Sequence, residues 1–385
     1  MKIGIDKIGF YAPHLYVDMN DLAEARGVEP AKFTVGIGQD EMAIAPLTQD
    51  PVTLAANAAK QVISEEDKKN IDLVLFCTES GVDHSKSAAV YVHELLGLNP
   101  ETRSVELKQA CYSATAGLQM AKGHIALHPD KKVLVLASDI ARYGLNTSGE
   151  VTQGAGAIAM VVANEPRILS LENESTYMTK DIMDFWRPVY SDTAYVDGKF
   201  SNEQYIHFFQ EVWHAYKEKT GNSIEDFAAI CYHLPYTKMG LKALRTILEE
   251  GSTEVGETLQ SNFQDSITYS RRIGNIYTAS LYLGLLSLLE NGQLNDGDRI
   301  GLYSYGSGAV GEFFTGVLEK NYKDYLNKDA HKVMFDERRK VSVEEYEEVF
   351  SSSLPVDGSK LELETNNDPA AIKLIGIDEH KRQYL

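Results

Sequence analysis

Cys111 stands where the extended run "VELKQA" gives way to "CYSATAGLQMAKGHIAL", whose small residues open a helix. A thiol at a helix start faces unpaired N–H groups and the positive end of the peptide dipoles, which lower its pKa and supply donors to a developing oxyanion. That position favours a nucleophile over the small buried hydrophobe that most free cysteines are. Glu79, in "CTESGVDHSKSA", ends an almost wholly apolar run, and His233, in "ICYHLPYTKMG", ends another. Glu79 could simply cap the next segment; buried near a thiol, its pKa rises and suits it to general acid/base work. His233 could be a core histidine satisfied by the backbone, but its matching place in a second strand favours function. Asn275, in "SRRIGNIYTAS", precedes a helix, where an asparagine is ordinarily an N-cap.

The stretch "GSGAVG" from Gly306 to Gly311 formally fits a dinucleotide fingerprint. It lacks the acidic residue that ends a second strand some 20 residues on, and the chain runs instead into a charged tail. A tight glycine turn that brings backbone N–H groups, such as that of Ser307, close to a ligand oxygen is the better reading. No G-x-S-x-G elbow is present, which disfavours a serine hydrolase.

The elements that must hold these groups are short apolar strands: "KIGIDKIGFYA", "IDLVLFCTES", "KKVLVLASD", "GAIAMVVAN", "FAAICYHLP" and "DRIGLYSYG". Between them, "PVTLAANAAKQVISEE", "KMGLKALRTILEEG" and "TASLYLGLLSLLENG" repeat apolar residues at helical spacing, the last two ending in glycine. The alternation predicts an α/β fold with helices packed on sheets. A long-period correspondence divides the chain. "LVLFCTES" and "AAICYHLP" each carry a cysteine two residues before an ionisable group, so Cys77 and Glu79 share one strand face, as do Cys231 and His233. Each strand delivers its group at the carboxyl end, where ligands of α/β sheets bind. The aromatic, mixed-charge stretch that begins at about "LENESTYM" reads as a connection with its own helix, able to cover a pocket. After "GEFFTGVLEKNY" a charged tail carries the helix-like "SVEEYEEVF" and strand-like "SKLELE" and "AIKLIGI", and is an addition to the core rather than a domain.

Composition narrows the classes. A net charge of −19 without a Lys/Arg cluster repels phosphate backbones, so nucleic acid is not expected as a partner. No apolar run reaches the roughly 18 residues of a membrane helix and no charged, apolar and small leader opens the chain, so no membrane association and a cytoplasmic address are expected. Cys77, Cys111 and Cys231 are too few and too scattered for a disulfide framework, and no CxxC or HExxH-like spacing supports a zinc site.

A reactive cysteine at a helix start, a histidine and an asparagine from the second half, and a late "YGSG" turn together resemble the thiolase-fold condensing enzymes. Within them, "ESGVDHSKSA", "KQACYSATAGL", "DFWRP", "YVDGKFS", "ICYHLPYTKMG", "GNIYTASLYLGLLSLL", "SYGSGAVGEFF" and the ending "IKLIGIDEHKRQYL" are similar to the motifs of the bacterial-type 3-hydroxy-3-methylglutaryl-CoA synthase family, over nearly the whole chain. The resemblance implies a homodimer of two related halves, residues 1–168 and 169–385, in a five-layered αβαβα core with a C-terminal addition from about 319. It implies acetyl-CoA and acetoacetyl-CoA as substrates, in the mevalonate route to isoprenoid precursors, with no metal and no separate cofactor. Residue by residue it maps the nucleophile on Cys111, the general base on Glu79 and the histidine on His233. Asn275, Gly306 and Ser307 match positions that contact acetoacetyl substrate or thioester oxygen. Tyr143 matches a substrate-pocket residue, and Asp139 and Asp184 match acidic residues that support the site.

CoA is a polyanion and the chain is acidic, so local cations must reverse the field. Lys238 and Lys242, one helical turn apart just beyond His233, are candidates for the phosphates, although two solvated lysines on an exposed face fit the same pattern. The nearest alternative is a decarboxylating ketoacyl synthase of the same fold, which has no need of Glu79 because decarboxylation itself generates the enolate. A non-catalytic acyl-CoA-binding scaffold is opposed by the intact Cys111, Glu79 and His233. A papain-like cysteine hydrolase leaves the glutamate and the two-half pattern unexplained.

Overall fold

The computed structural model describes residues 1–191 and 193–385. Nine strands form one continuous mixed sheet: β1 Ile3–Tyr11, β2 Ile71–Cys77, β3 Arg103–Leu107, β4 Lys132–Ala141, β5 Gly154–Asn164, β6 Leu169–Thr179, β7 Ala229–Tyr232, β8 Arg299–Gly306 and β9 Val310–Leu318. Their order is β7-β8-β9-β6-β1-β5-β4-β2-β3. Outward from the central β6·β1 pair the two wings repeat one another. β1 pairs antiparallel with β5, β5 antiparallel with β4, and β4 parallel with β2; β6 likewise pairs antiparallel with β9, β9 antiparallel with β8, and β8 parallel with β7. The wings join through Gly4 and Ile5 opposite Ser170 and Leu169. A side chain at Gly4 is impossible there, since its Cβ would sit 1.9 Å from the Leu169 carbonyl oxygen.

Side chains alternate faces along each strand, and the cores follow that alternation. Leu134 and Leu136 of β4 point outward onto α1 (Pro51–Lys60) and α2 (Ala88–Leu95). Val133 and Val135 point inward onto α3 (Ser113–Leu127) and, with them, α7 (Ser280–Asn291). That inner core also takes Cys231, Leu302 and Phe314 from the second wing, so the two buried helices are covered from both sides. Tyr303 and Phe313 face the other way, onto α4 (Gly198–Thr220) and α5 (Thr237–Arg245), with α6 (Thr253–Ser266) alongside. The result is five layers, helix, sheet, helix, sheet, helix, as expected. Cys77 and Cys231 both lie in the inner core, so the chain two residues beyond each emerges at the same middle layer.

Three readings change: residues 171–179, read as the start of the connection, belong to β6 because they pair along β9, and two helices are shorter. "PVTLAANAAKQVISEE" is broken: α1 stops at Lys60, and Ser64 starts a separate helix, Glu65–Asn70, by exchanging capping bonds with Asp67. α5 likewise stops at Arg245, six residues before Gly251, with a tight 3-10 turn at Leu248–Glu250 between. The tail beyond β9 carries α8 (Lys328–Asp336), α9 (Val343–Ser351) and a small sheet of Leu361–Glu362, Leu374–Asp378 and Lys381–Tyr384. It is stapled to the first wing rather than free-standing: Arg382 Nη1 and Tyr384 Oη reach Asp50 at 2.9 and 2.8 Å, and Ile372 enters the outer core. No helix among the described residues is long and apolar enough to cross a membrane.

Candidate active site

Cys111 lies one residue before the cap of α3, after Ala110, which is held at φ +43° in the left-handed region. Its Sγ donates to Glu79 Oε1 at 3.2 Å. The two groups singled out from distant parts of the sequence therefore meet directly. Glu79 is placed by Asp139, a wholly buried carboxylate at the end of β4. Asp139 Oδ1 accepts from Thr78 Oγ1 and the Glu79 and Ser80 N–H groups at 2.8, 2.9 and 2.9 Å; Oδ2 accepts from the Thr278 N–H of the second half at 3.1 Å. One carboxylate thus fixes the strand end bearing the base and ties it to the segment after Asn275.

Electrostatics at the pair differ from the expectation of a thiol activated by its helix. Burial, followed by the Glu79 and Asp139 charges, holds the Cys111 thiol well above its ordinary value. The helix end is outweighed because the nearest charges are the carboxylates of Glu79, Asp139 and Asp184. Glu79 is pushed up to about 8, by burial first and Asp139 second, while the Cys111 hydrogen bond and Arg187 pull the other way. Asp139 rises to about 6 through burial, held down by its own donors. A raised folded-state pKa means that the Glu79 contribution to stability is full below the ordinary carboxyl value of 4.5 and is lost as pH rises through about 8. Glu79→Gln removes that loss. Its melting temperature is expected to match the parent at pH 4.5 and exceed it by on the order of 2 °C at pH 8.5. A pH-independent difference in thermal unfolding contradicts the assignment.

The glycine turn faces the thiol from the second half. A Cβ on Gly306 would lie 2.6 Å from both the Gln109 carbonyl oxygen and the Tyr112 nitrogen, so the turn and the cysteine segment touch backbone to backbone. Gln109 Nε2 donates to the Ser307 carbonyl at 3.3 Å. On the far side Asp184, wholly buried, accepts from the Gly308 N–H at 2.9 Å and Tyr305 Oη at 2.8 Å. Asp184 therefore supports the turn, as Asp139 supports the base.

His233 follows β7, with its N–H donating to the Tyr303 carbonyl at 2.8 Å and its carbonyl accepting from Tyr205 Oη at 2.7 Å. Its ring is buried, Nδ1 has no partner among the described residues, and burial lowers its pKa to about 3, so it is neutral. No hydrogen bond among the described residues joins it to Cys111 or Glu79. Asn275 combines both readings. Its Oδ1 accepts from the Tyr277 N–H and Ser280 Oγ at 2.8 Å each, as a cap does, while Nδ2 donates to Tyr143 Oη at 3.1 Å. Tyr143 lies edge-on to Tyr277 and to Phe185 of "DFWRP". On α5, Lys242 is exposed and donates to Tyr236 Oη at 2.8 Å, and Lys238 is half-buried.

Sequence reasoning missed Arg187, whose guanidinium donates to the Glu79 carbonyl. Its signal was a single cation among aromatics in the connecting segment. Tyr277 and Tyr305 were missed for want of any local signal. The three cysteines are unpaired, and no group of three His, Cys, Asp or Glu among the described residues could hold a metal ion.

The comparisons point one way. A family model described as hydroxymethylglutaryl-coenzyme A synthase N terminal matches residues 1–166, and its C-terminal counterpart matches 168–256 and 245–360. A hydroxymethylglutaryl-CoA synthase of Enterococcus faecalis is 55% identical over 385 residues, all of both chains. A polyketide-biosynthesis 3-hydroxy-3-methylglutaryl-ACP synthase of Bacillus subtilis is 33% identical, over 92% of this chain and 89% of that one. A solved HMG-CoA synthase complexed with CoA superposes with a TM-score of 0.97 at 49% identity, covering 100% of this chain and 99% of the other. Another, in complex with 3-hydroxy-3-methylglutaryl coenzyme A, gives 0.88 at 36% identity with the same coverage.

Proposed function

The chain belongs to the hydroxymethylglutaryl-CoA synthase family, thiolase-fold acyltransferases that condense acetyl-CoA with acetoacetyl-CoA, and we propose that in it Cys111, Glu79 and His233 carry the reaction. The observation that carries this reading is the 3.2 Å contact between Cys111 Sγ and Glu79 Oε1. Because the thiol is held above its ordinary value, it needs a base, and Glu79 is in place to take its proton as sulfur attacks the acetyl carbonyl. The departing CoA sulfur takes that proton, leaving acetyl-Cys111 beside a carboxylate. Glu79 then removes a proton from the acetyl methyl group, with the developing oxyanion held by backbone N–H groups at Cys111 and Ser307. The carbanion attacks the ketone of acetoacetyl-CoA, which His233 and Asn275 orient. As a neutral imidazole, His233 serves as a hydrogen-bond donor to that ketone rather than as an imidazolium acid. The proton on Glu79 can return to the new alkoxide, and water releases the product from Cys111.

Tyr143, bonded to Asn275, lines the acceptor side of the pocket, Gly306 and Ser307 shape its acyl end, and Asp139 and Asp184 support it. Lys238 and Lys242 receive CoA phosphates. Changing both lysines to glutamine is expected to raise KM for either thioester about three- to tenfold with kcat little changed; an unchanged KM at low salt removes them from the site. The chain divides into halves at 168/169, and two copies form a dimer. The dimer is supported by β3, one of the two edge strands, whose outer edge is unpaired among the described residues and whose Val105 is 43% exposed. The free cysteines support a reducing, cytoplasmic address. The direct test is a rapid-quench reaction with labelled acetyl-CoA. One CoA per chain is expected in a burst before any acceptor is added, followed by label in the condensed product. Label in the product without a prior burst contradicts the covalent route.

A further inference from the structure

The short segment Gly149–Gly154 makes bonds to both acceptor-pocket residues, although none of its side chains was singled out by chemistry. Gln153 is buried, and its Oε1 accepts from the Tyr143 and Gly144 N–H groups at 2.6 and 3.1 Å. One residue earlier, the Thr152 carbonyl accepts the Asn275 N–H at 3.1 Å. Tyr143 and Asn275, bonded to each other through Oη and Nδ2, are therefore both fastened to the same few residues. Neither flanking glycine has room for a side chain: a Cβ at Gly149 would lie 2.8 Å from Tyr143 Cβ, and one at Gly154 would lie 2.7 Å from the Asn275 carbonyl oxygen.

The orientation of the Gln153 amide is itself fixed from the C-terminal addition. Gln153 Nε2 donates to Tyr346 Oη at 2.9 Å, and Tyr346 of α9 donates to the buried Glu150 at 3.1 Å. Glu150 is locked by a two-pronged bond from Arg26 at 2.9 and 2.8 Å and by the Asn146 N–H at 2.9 Å. With Nε2 committed to a hydroxyl that is already a donor to carboxylate, the amide oxygen can only face the Tyr143 loop.

We infer that Gln153 is a positioning residue for the acceptor pocket, held in its working orientation by Tyr346 and Glu150, so that the C-terminal addition sets the affinity for the second substrate. The inference rests on the reading of Tyr143 and Asn275 as acceptor contacts. It separates the two half-reactions: Glu79 is positioned by Asp139 and Cys111 bonds to Glu79, with no hydrogen bond among the described residues from either to Gln153 or Tyr346, so acetylation is untouched while acceptor binding weakens.

The test measures acetylation rate, KM for acetoacetyl-CoA and melting temperature for Gln153→Met, Tyr346→Phe and Asn275→Ala. Gln153→Met is expected to raise KM for acetoacetyl-CoA about tenfold while acetylation stays within about twofold of the parent. Tyr346→Phe keeps the ring and removes one hydroxyl, and about a threefold rise in KM is expected with acetylation unchanged. If Asn275→Ala raises KM and neither of the other variants does, the inference falls alone. If Asn275→Ala leaves KM unchanged, the acceptor-pocket reading falls and the inference with it. If both half-reactions drop together with the melting temperature in Gln153→Met and Tyr346→Phe, the role is merely structural and the inference is overturned.

Discussion

Cys111→Ala is expected to form no acetyl-enzyme from acetyl-CoA and to lose at least about four orders of magnitude in turnover, while folding and thioester binding persist. The fold should survive because the cysteine is half-buried at the edge of the inner core, and its neighbours are held by other bonds. Gln109 N–H is held by Ser113 Oγ at 2.6 Å, and the Ala114 N–H by Thr278 Oγ1 at 2.7 Å. Removing the sulfur leaves Glu79 without its donor, but the carboxyl's backbone stays clamped by Asp139. Cys111→Ser separates reactivity from volume. The hydroxyl can still donate to Glu79, yet it is a far weaker nucleophile, and a comparable loss is expected. A serine variant with appreciable turnover contradicts covalent catalysis at this position.

Glu79→Ala is expected to block condensation by about 10³- to 10⁴-fold and to slow acetylation less, so acetyl-enzyme accumulates. The two steps differ because a thiol, even one held high, loses its proton far more readily than an acetyl methyl group. A carboxyl lifted to about 8 is a stronger base than an ordinary glutamate, which suits it to the harder task. The same shift implies a rise in condensation rate with pH up to about 8, flattening beyond. Glu79→Gln, which keeps the volume and an acceptor oxygen, should be as defective as alanine. If it retains activity, Glu79 orients substrate rather than accepting a proton. A Glu79→Ala protein that freely condenses malonyl thioesters shows how little separates this site from a decarboxylating one.

How much of this could be read from residues alone depends on whether the deciding force is local. The strand-ending Glu79 and His233 and the helix-opening Cys111 are marked by short-range patterns: an apolar run, then one ionisable group, or a β-run meeting small helix formers. The meeting of Glu79 with Cys111 is a contact within the first wing, while the repeat of the wings was hinted at by the matching Cys77 and Cys231, each two residues before an ionisable group. The strand order and the single continuous sheet were not legible, because pairing of β1 with β6 rests on a close approach at Gly4 rather than on any periodicity. The thiol's raised pKa was misjudged for a related reason. The helix end is encoded within a few residues, whereas Glu79, Asp139 and Asp184 arrive from 28 or more positions away, and burial is a property of the whole fold. Gln153 was silent because its partners lie in the Tyr143 loop and in α9 and leave no mark on its own neighbourhood, and Arg187 showed only as a lone cation because its partner, the Glu79 carbonyl, comes from a distant segment. Asn275 was seen but half understood, since capping uses its oxygen and the pocket its nitrogen.

The central claim, that Glu79 acts on an acetyl group held by Cys111, is tested most directly by peptide mass spectrometry of Glu79→Ala after acetyl-CoA and then acetoacetyl-CoA. The account predicts an acetyl increment on the Cys111 peptide that persists after acceptor is added, whereas the parent clears it within one turnover. Clearance of the adduct into condensed product by Glu79→Ala at the parent's rate contradicts it.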